Sequence, residues 1–213
     1  MIKAEYIDHL GSDLTVVNSA RVSFNKESSI FTLQDEKLVT YLANHNHFTP
    51  FTHPQITLRE TVPIFVARQR FKHTVGFTYN EVSRRYVDEE PTFHFPTVWR
   101  SRPVGSVKQG SGDPHQASNL FAGLYDEFLE SALRLYIQMI DSGVAPEQAR
   151  MVLPQSMLTS YYVTGSLAAF ARLYKQRSDS HAQKEIQELA NQIDQIIAPL
   201  YPVSWNALTQ GDY

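Results

Sequence analysis

Apolar residues recur at helical spacing in two stretches in the middle of the chain. In residues 34–46 the side chains of Leu38, Tyr41 and Leu42 share one face, and acidic residues lie in the first turn, where they favour the helix dipole. A longer pattern runs over about 116–142 and ends at Gly143, with apolar positions at Leu120, Leu124, Phe128, Leu135 and Ile140. Both stretches predict amphipathic helices.

The last third of the sequence is also mostly helical in its pattern. Residues 146–150 begin with a proline, which favours a short helix. Two further helices are predicted over 165–176 and 179–198. The second of these carries its apolar side chains on one face, and prolines at 199 and 202 are expected to end it; the apolar positions are Ile186, Leu189, Ile193, Ile196 and Ile197.

β-Branched and aromatic residues mark the predicted strands. Residues 55–62 predict a strand, after which Pro63 opens a helix that is expected to end near 74–76. Residues 157–163 predict another strand. Residues 3–8 and 13–18 predict two short strands, or a strand and a turn. The glycine- and proline-rich residues 101–115 predict a mobile surface loop.

This order of elements predicts an α+β fold in a single domain, 1–213, with a central, mostly antiparallel sheet flanked by helices. No predicted strand is followed by Gly-x-Gly-x-x-Gly, and the phosphate-binding pattern Gly-x-x-x-x-Gly-Lys-Ser/Thr does not occur. The fold is therefore expected to be non-Rossmann, and any nucleotide is expected to bind without either of these loops.

The composition excludes several kinds of site and reaction. None of the 213 residues is cysteine, which excludes disulfides, thiolate metal ligands and a cysteine nucleophile. The formal charge is −3, so any site for an anion has to be local. The N-terminus has no apolar signal-peptide core, and no stretch reaches the roughly 20 apolar residues of a membrane helix. A cytoplasmic protein that does not bind membranes is the expectation.

One segment, residues 68–86, differs from the rest of the chain and is called here the basic-aromatic segment. It carries five lysines or arginines and one acid, Glu81, which gives it a net charge of +4. Its second half, 80–85, contains an amide, a carboxylate, a hydroxyl and two guanidiniums. This set suits a planar polar ring together with a phosphate, because amides and carboxylates bind ring edges and arginine binds phosphate bidentately.

Other interpretations of these residues remain open at this stage. A plain solvated face accounts for the charges, but not for the aromatic residues between them. A nucleic-acid-binding module without catalysis would use the same cations and rings, although Glu81 and the acidic chain count against it. The histidines at 45, 47 and 53 form a loose metal-ligand pattern, but no acid lies between them, so no metal is favoured.

Five motifs in order resemble signature segments of the flavin-dependent thymidylate synthases. The central motif is Lys72-His73-Thr74 followed, after eight residues, by Ser83, where the family has Arg-His-Arg, seven or eight residues, and Ser. The other four are ARVSF at 20–24, HFTPFTH at 47–53, ARMVLP at 149–154 and RSDSHAQ at 177–183. The resemblance extends over roughly 20–190.

The resemblance implies an FAD-dependent enzyme that makes dTMP from dUMP. Methylenetetrahydrofolate would supply the carbon, reduced FAD the hydride, and NADPH would regenerate the flavin. No protein nucleophile takes part in the family's scheme, which fits a chain without cysteine. The family also implies a homotetramer whose active sites are shared between subunits, with small-molecule substrates and no nucleic-acid partner.

The resemblance also assigns residues. Arg177 matches the catalytic arginine that stabilises the ionised uracil ring; the alternative is a salt bridge with Asp179. The residues implied to bind dUMP are Gln69, Arg70, Lys72, Glu81, Ser83, Arg84, Arg85, Arg150 and Arg177. Those implied to bind FAD are His53, Lys72, His73, Thr74, Asn80, Glu81, Ser166 and Arg172, and Arg172 has the alternative of being simply exposed. Where Lys72 and Thr74 replace arginines, Arg68 or Arg70 would compensate.

Overall fold

The computed structural model describes residues 1–87, 89–104 and 110–210. Within these ranges the chain forms a four-stranded sheet, eight α-helices and three short 3-10 helices. The strands are β1 (Lys3–Leu10), β2 (Gln55–Pro63), β3 (Phe77–Glu81) and β4 (Leu158–Ser166). The helices are α1 (Asp13–Arg21), α2 (Leu33–Asn44), α3 (Ile64–Arg70), α4 (Ser118–Asp141), α5 (Pro146–Ala149), α6 (Leu167–Arg177), α7 (Lys184–Ile197) and α8 (Pro202–Gln210).

The strand order is β1-β2-β4-β3, and every neighbouring pair is antiparallel. Alternate residues of the central strand β2 point to opposite faces, so that Ile56, Leu58, Glu60 and Val62 are buried while Arg59 is exposed. The buried face packs against a core to which every α-helix except α4 and α5 contributes. The other face is polar; for example, the Thr57 and Thr164 hydroxyls lie 2.9 Å apart.

Strand β3 is held at the sheet edge by a close contact with β4. Phe77 pairs with Gly165, and a Cβ at position 165 would lie only 2.3 Å from the Phe77 ring. A glycine is therefore required at 165 if the Phe77 ring is to cover the strand. This places the second half of the basic-aromatic segment beside β4.

Helix α4 is largely outside the core. Of its 24 residues, Leu129, Ala132 and Tyr136 are buried. Its exposed apolar residues are Leu120, Phe121, Leu124, Phe128, Leu135 and Ile137. Such an apolar face on a helix is typical of a surface that contacts another molecule.

Helix α8 begins at Pro202 and receives its N-terminal cap from the other end of the chain. The buried carboxylate of Asp13 accepts hydrogen bonds from the backbone N–H groups of Val203 (3.1 Å) and Ser204 (2.8 Å). These are donors that a helix N-terminus leaves without a partner inside the helix. Asp13 thus fastens α8 to the start of α1.

The predicted α+β, non-Rossmann fold is confirmed, with all strand pairs antiparallel. The prediction of a strand or a turn at 13–18 is wrong. These residues lie in α1, whose N-terminus carries a capping box formed by Ser12 and Thr15. The helix after Pro63 ends at Arg70 rather than near 74–76, because the chain then turns through Gly76 (φ +80°) into β3. Helix α7 begins at Lys184 rather than at 179, and α8 follows where Pro202 was expected to end helical structure.

Part of the predicted loop 101–115 lies outside the described residues, namely 105–109. The described ends approach each other: the Ser101 N–H donates to the Asp113 carbonyl and the Gly112 N–H to the Ser101 carbonyl, both at 2.9 Å. The mobility of this loop stays a prediction. None of the described helices is long and apolar enough to cross a membrane.

Candidate active site

The basic-aromatic segment runs from α3 into the turn that follows, and its first three cations differ in burial. Arg68 and Lys72 are exposed, whereas Arg70 is fully buried. The Arg70 guanidinium meets the equally buried Glu60 carboxylate through Nε at 2.9 Å and Nη2 at 3.0 Å. Arg70 is thus part of the core, and its predicted roles as a dUMP ligand and as a substitute for the missing family arginines are corrected.

Two tyrosines complete the hydrogen bonding of this buried pair. The Tyr161 hydroxyl donates to Glu60 Oε2 at 2.6 Å, and Arg70 Nη1 donates to the Tyr79 hydroxyl at 2.6 Å. Tyr79 in turn donates to the His73 carbonyl at 2.6 Å. Burial raises the pKa of Tyr79 to about 12 and that of Tyr161 well above its ordinary value, so both stay neutral donors. The network joins α3, β2, β3 and β4.

A cleft of about 580 Å³ opens on the outer side of the sheet, next to the end of β3. It brings together five of the residues that the sequence predicted for dUMP: Glu81, Ser83, Arg84, Arg85 and Arg150. We call it the arginine cleft. These residues come from two motifs, and Arg85 of the first is 65 positions from Arg150 of the second. The fold brings the two segments together.

Hydrogen bonds inside the arginine cleft arrange its polar groups. The Thr159 hydroxyl donates to Glu81 Oε1 at 2.7 Å, which leaves the second carboxylate oxygen of Glu81 free of that bond. Arg85 Nε donates to the Ser83 hydroxyl at 3.3 Å, and Arg84 donates to the Glu89 carbonyl. Arg150 Nε donates to the Glu147 carbonyl at 3.2 Å. The cleft is lined by four arginines and two glutamates, and this excess of guanidiniums suits a ligand with a phosphate and a hydrogen-bond donor.

Sequence reasoning did not find Arg59, which also lines this cleft. A signal was present, because Arg59 alternates with the buried Leu58 and Glu60 and so had to point to the outer face. Thr61 and Ser160 on the same face line the cleft as well.

A second cluster forms where the C-terminus of α6 meets the turn after α3. Arg177 Nε donates to His73 Nε2 at 2.9 Å. His73 is buried; burial and the charges of Arg177, Arg70 and Arg172 lower its pKa to about 4, so that its ring is a neutral acceptor. Burial also lowers the pKa of Arg177. The expected alternative, a salt bridge of Arg177 with Asp179, is not formed, since Asp179 bonds to His181 at 2.9 Å.

Gln69 and Arg172 lie in the neighbourhood of this cluster. The Gln69 side chain donates to that of Gln183 at 2.6 Å, which joins the end of α3 to the start of α7. The Arg172 side chain is exposed and donates to the Val75 carbonyl at 2.6 Å, in the turn that follows His73. None of the cluster residues lines the arginine cleft.

The other residues predicted for FAD are spread more widely. Lys72, Thr74 and Asn80 are exposed along the turn and β3. Ser166 is buried, and its hydroxyl accepts from the Ala169 N–H as the N-cap of α6. The hydroxyl is therefore already engaged in holding the start of this helix. His53 lies in a separate depression with Asn18 and Lys26. The structure therefore does not bring His53 and Lys72 into one pocket of a single chain.

Among the described residues, no group of three or more histidines and acids is placed to hold a metal ion. His45 stacks on Tyr41 with ring centroids 4.0 Å apart. The His45 and His47 rings lie 6.5 Å apart.

Comparison with known proteins gives a consistent result. The family model described as "Thymidylate synthase complementing protein" matches residues 5–203. The chain is 35% identical to the flavin-dependent thymidylate synthase of Thermosipho africanus over 97% of this chain and 90% of that one. It is also 35% identical to the enzyme of the same name from Thermotoga neapolitana, over 98% and 91%.

A solved structure is similar over nearly the whole chain. The UMP/dUMP methylase PolB from Streptomyces cacaoi, bound with 5-Br dUMP, superposes with a TM-score of 0.89 at 30% identity, covering 99% of this chain and 95% of that one. The same protein bound with 5-Br UMP gives a TM-score of 0.87.

Proposed function

Because the chain belongs to the flavin-dependent thymidylate synthase family, we propose that it converts dUMP to dTMP as a single-domain cytoplasmic enzyme with FAD as its cofactor. Methylenetetrahydrofolate donates the carbon, and NADPH supplies the electrons that reduce FAD. The observation that carries the proposal is the arginine cleft, where Ser83, Arg84, Arg85 and Arg150 gather around Glu81.

In this proposal the arginine cleft binds the nucleotide phosphate. Arg84, Arg85 and Arg150 offer planar forks that match phosphate oxygens bidentately, and the Ser83 hydroxyl adds a donor. The Glu81 carboxylate, held by Thr159, accepts a hydrogen bond from the ligand. Lys72, predicted for both ligands, adds an exposed positive charge at the turn.

Arg177 acts on the uracil ring. A guanidinium remains protonated, so it stabilises negative charge that develops on the ring when its imide nitrogen ionises. Arg177 Nε donates to His73, which leaves the two terminal nitrogens of Arg177 to bond to the substrate. Gln69, fixed by Gln183, supplies an amide for the ring edge.

The donor set after α3 fits a dinucleotide such as FAD. The cations Arg68, Lys72 and Arg172 are exposed around the turn, and the described acids of the segment are confined to Glu81, so a diphosphate meets complementary charge. Thr74 and Asn80 offer further polar side chains, His53 of a second copy of the chain offers another, and His73 and Ser166 support the turn from within. Bound FAD supplies the hydride that turns the transferred methylene into a methyl group.

We further propose that a second copy of the chain completes each site, in a homotetramer. The arginine cleft and the Arg177 cluster share no residue, and His53 lies in a third depression, so one chain presents the parts of the site on different surfaces. The exposed apolar face of α4 provides a surface for association.

The proposal is tested by the absorbance spectrum of the purified protein and by dTMP formation from dUMP and methylenetetrahydrofolate with dithionite as reductant. A flavin band and flavin-dependent dTMP formation are expected. Arg177→Ala should abolish turnover while FAD stays bound; Arg102→Ala, at an exposed arginine outside α4 and outside both groups of site residues, is the matched control and should keep full activity. FAD-saturated protein that forms no dTMP refutes the proposal.

A second candidate is methylation of UMP, which the similarity to PolB favours. The two substrates differ by the 2′-hydroxyl. Assaying UMP and dUMP side by side under the same conditions decides between them through the ratio of kcat/KM values.

A further inference from the structure

Arg177, the arginine that the proposed function assigns to the uracil ring, is held by a histidine rather than by an acid. Its Nε donates to His73 Nε2 at 2.9 Å. In the part of the chain that the structure describes, Arg177 takes part in no ion pair. The nearest acid along the chain, Asp179, accepts from the backbone and the ring of His181 instead. The guanidinium therefore has a fixed partner but no counter-charge.

The backbone of His73 is tied to the core on both sides of the residue. Its N–H donates to the Arg70 carbonyl at 3.1 Å, and its carbonyl accepts from the Tyr79 hydroxyl at 2.6 Å. The same Tyr79 hydroxyl accepts from the fully buried Arg70 guanidinium at 2.6 Å. The side chain of His73 is itself buried. The acceptor for Arg177 is thus anchored to α3 and β3, although its neighbours Lys72 and Thr74 are exposed.

The ring of His73 is uncharged at neutral pH. Burial lowers the pKa of His73 to about 4, and the charges of three nearby arginines act in the same direction. The three are Arg177, Arg70 and Arg172. A neutral imidazole has one nitrogen that donates and one that accepts. Because Nε2 accepts from Arg177, the ring proton lies on Nδ1.

A neutral acceptor orients a guanidinium without cancelling its charge. A carboxylate in the place of His73 would form a stronger hydrogen bond, but its negative charge would offset the positive charge of Arg177. The difference is large here, because Arg177 is half-buried and charges are screened less away from bulk water. Negative charge develops on the uracil ring only as its imide nitrogen ionises. A guanidinium with an uncompensated charge therefore stabilises the ionised ring more than a guanidinium in an ion pair does.

We propose that His73 is a positioning residue for the reaction: it orients the Arg177 guanidinium towards the uracil ring and leaves its positive charge uncompensated, so that the bound ring ionises more easily. The inference rests on the proposed function, because it requires Arg177 to face the uracil of dUMP. It gives the side chain of His73 a task within its own chain, separate from the flavin binding that the sequence motif implies.

The probe is 5-fluoro-dUMP, bound to the FAD-loaded full-length protein without folate or NADPH, so that no turnover occurs. The ¹⁹F chemical shift of the bound nucleotide, followed from about pH 6 to 10, reports the pKa of its imide nitrogen. His73 stays neutral throughout this range. In the wild type the imide pKa should lie below that of the free nucleotide, because the charge of Arg177 favours the anion. An equal pKa, or a failure to bind, would refute the proposed role of Arg177 and the present inference with it.

Three variants at position 73 separate orientation from charge. Glutamine and glutamate have the same length and both offer an oxygen acceptor, but only glutamate is charged, so His73→Gln should keep the wild-type imide pKa and kcat. His73→Glu should raise the imide pKa and lower kcat roughly tenfold or more, with little change in KM for dUMP. His73→Leu, which has no acceptor, should have the same effects. His9→Glu, at an exposed histidine on β1, is the matched control for the added charge and should behave as the wild type does.

Two results would overturn the inference alone. One is a wild type that lowers the imide pKa while the folded His73→Gln and His73→Glu proteins share one imide pKa. The other is a folded His73→Leu protein that keeps the wild-type imide pKa. In both cases the proposed function stands, because Arg177 then acts on the ring without His73. Circular dichroism and the absorbance of bound FAD show that each variant is folded and loaded, and the glutamine–glutamate comparison decides if His73→Leu does not fold.

Discussion

The buried Arg70–Glu60 pair gives the sharpest prediction about stability. Replacement of Arg70 by Met keeps an unbranched apolar side chain in place but leaves the Glu60 carboxylate in the core without its cation. Both side chains are fully buried, and the change removes the hydrogen bonds from Arg70 to Glu60 at 2.9, 3.0 and 3.2 Å and the one to the Tyr79 hydroxyl at 2.6 Å. Loss of one partner of such a pair costs about 3–5 kcal/mol in free energy of unfolding.

The assay is unfolding by heat and by urea at a fixed protein concentration. For a chain of this size each kcal/mol lowers Tm by roughly 2–4 °C, so Arg70→Met should melt roughly 6–20 °C below the wild type. The double variant Glu60→Leu/Arg70→Met should cost less than the two single changes added together, because it removes both charges. What remains is the Tyr161 hydroxyl, which loses Glu60 as its acceptor, and the Tyr79 hydroxyl, which loses Arg70 as a donor. Tyr161→Phe in the same background should recover part of the loss.

Two results would refute the reasoning. One is an Arg70→Met protein within about 1 kcal/mol of the wild type, on the scale expected for an exposed salt bridge. The other is a loss of dUMP affinity in folded Arg70→Met protein without any loss of stability, which would return Arg70 to the ligand site that the sequence predicted.

Three further predictions concern single positions. Gly165→Ala should destabilise the protein by about 1–3 kcal/mol through the clash with Phe77, whereas Gly123→Ala in α4, which meets no atom within 4 Å, should stabilise it by about 0.5–1 kcal/mol; equal urea midpoints would contradict this. As pH falls from 6.5 towards 4, His73 is protonated in the unfolded chain before it is protonated in the folded chain. The free energy of unfolding should therefore drop by up to about 3 kcal/mol. His73→Gln should flatten this part of the plot of stability against pH, and an unchanged slope would contradict the assignment. Asp13→Ala should cost about 1–2 kcal/mol by removing the cap of α8; hydrogen exchange at Val203 and Ser204 reports the loss, and unchanged protection there would disprove it.

The position of Arg70 shows how far the sequence could predict the site. Five of the residues assigned to dUMP do meet in one cleft, because motif order carries spatial information. Arg70 was misassigned since its charge resembles that of Arg68 and Lys72. The sequence did contain a warning: Glu60 alternates with the apolar Ile56, Leu58 and Val62, and a carboxylate on the inner face of a strand needs a buried cation.

The missed elements have a different cause. Residues 13–18 contain three β-branched residues, which favoured a strand, and only the capping box of Ser12 and Thr15 indicated a helix. Strand β3 was hidden because 77–81 reads as part of a polar constellation, and its pairing partner β4 is about 80 residues away. Local propensity does not report such distant partners, so these elements could be found only in the folded chain.

The contact between Asp13 and α8 also constrains the order of events during protein synthesis. The carboxylate of Asp13 and the backbone N–H groups of Val203 and Ser204 that donate to it are about 190 positions apart. The same holds for Gln192, whose side chain bonds to Ile2 and Ala4, and for Tyr201, whose hydroxyl bonds to Leu10. Residues 202–210 have therefore to be synthesised before β1 and α1 gain all these partners, so the packing of the N-terminal elements is completed only by the last helix of the described chain.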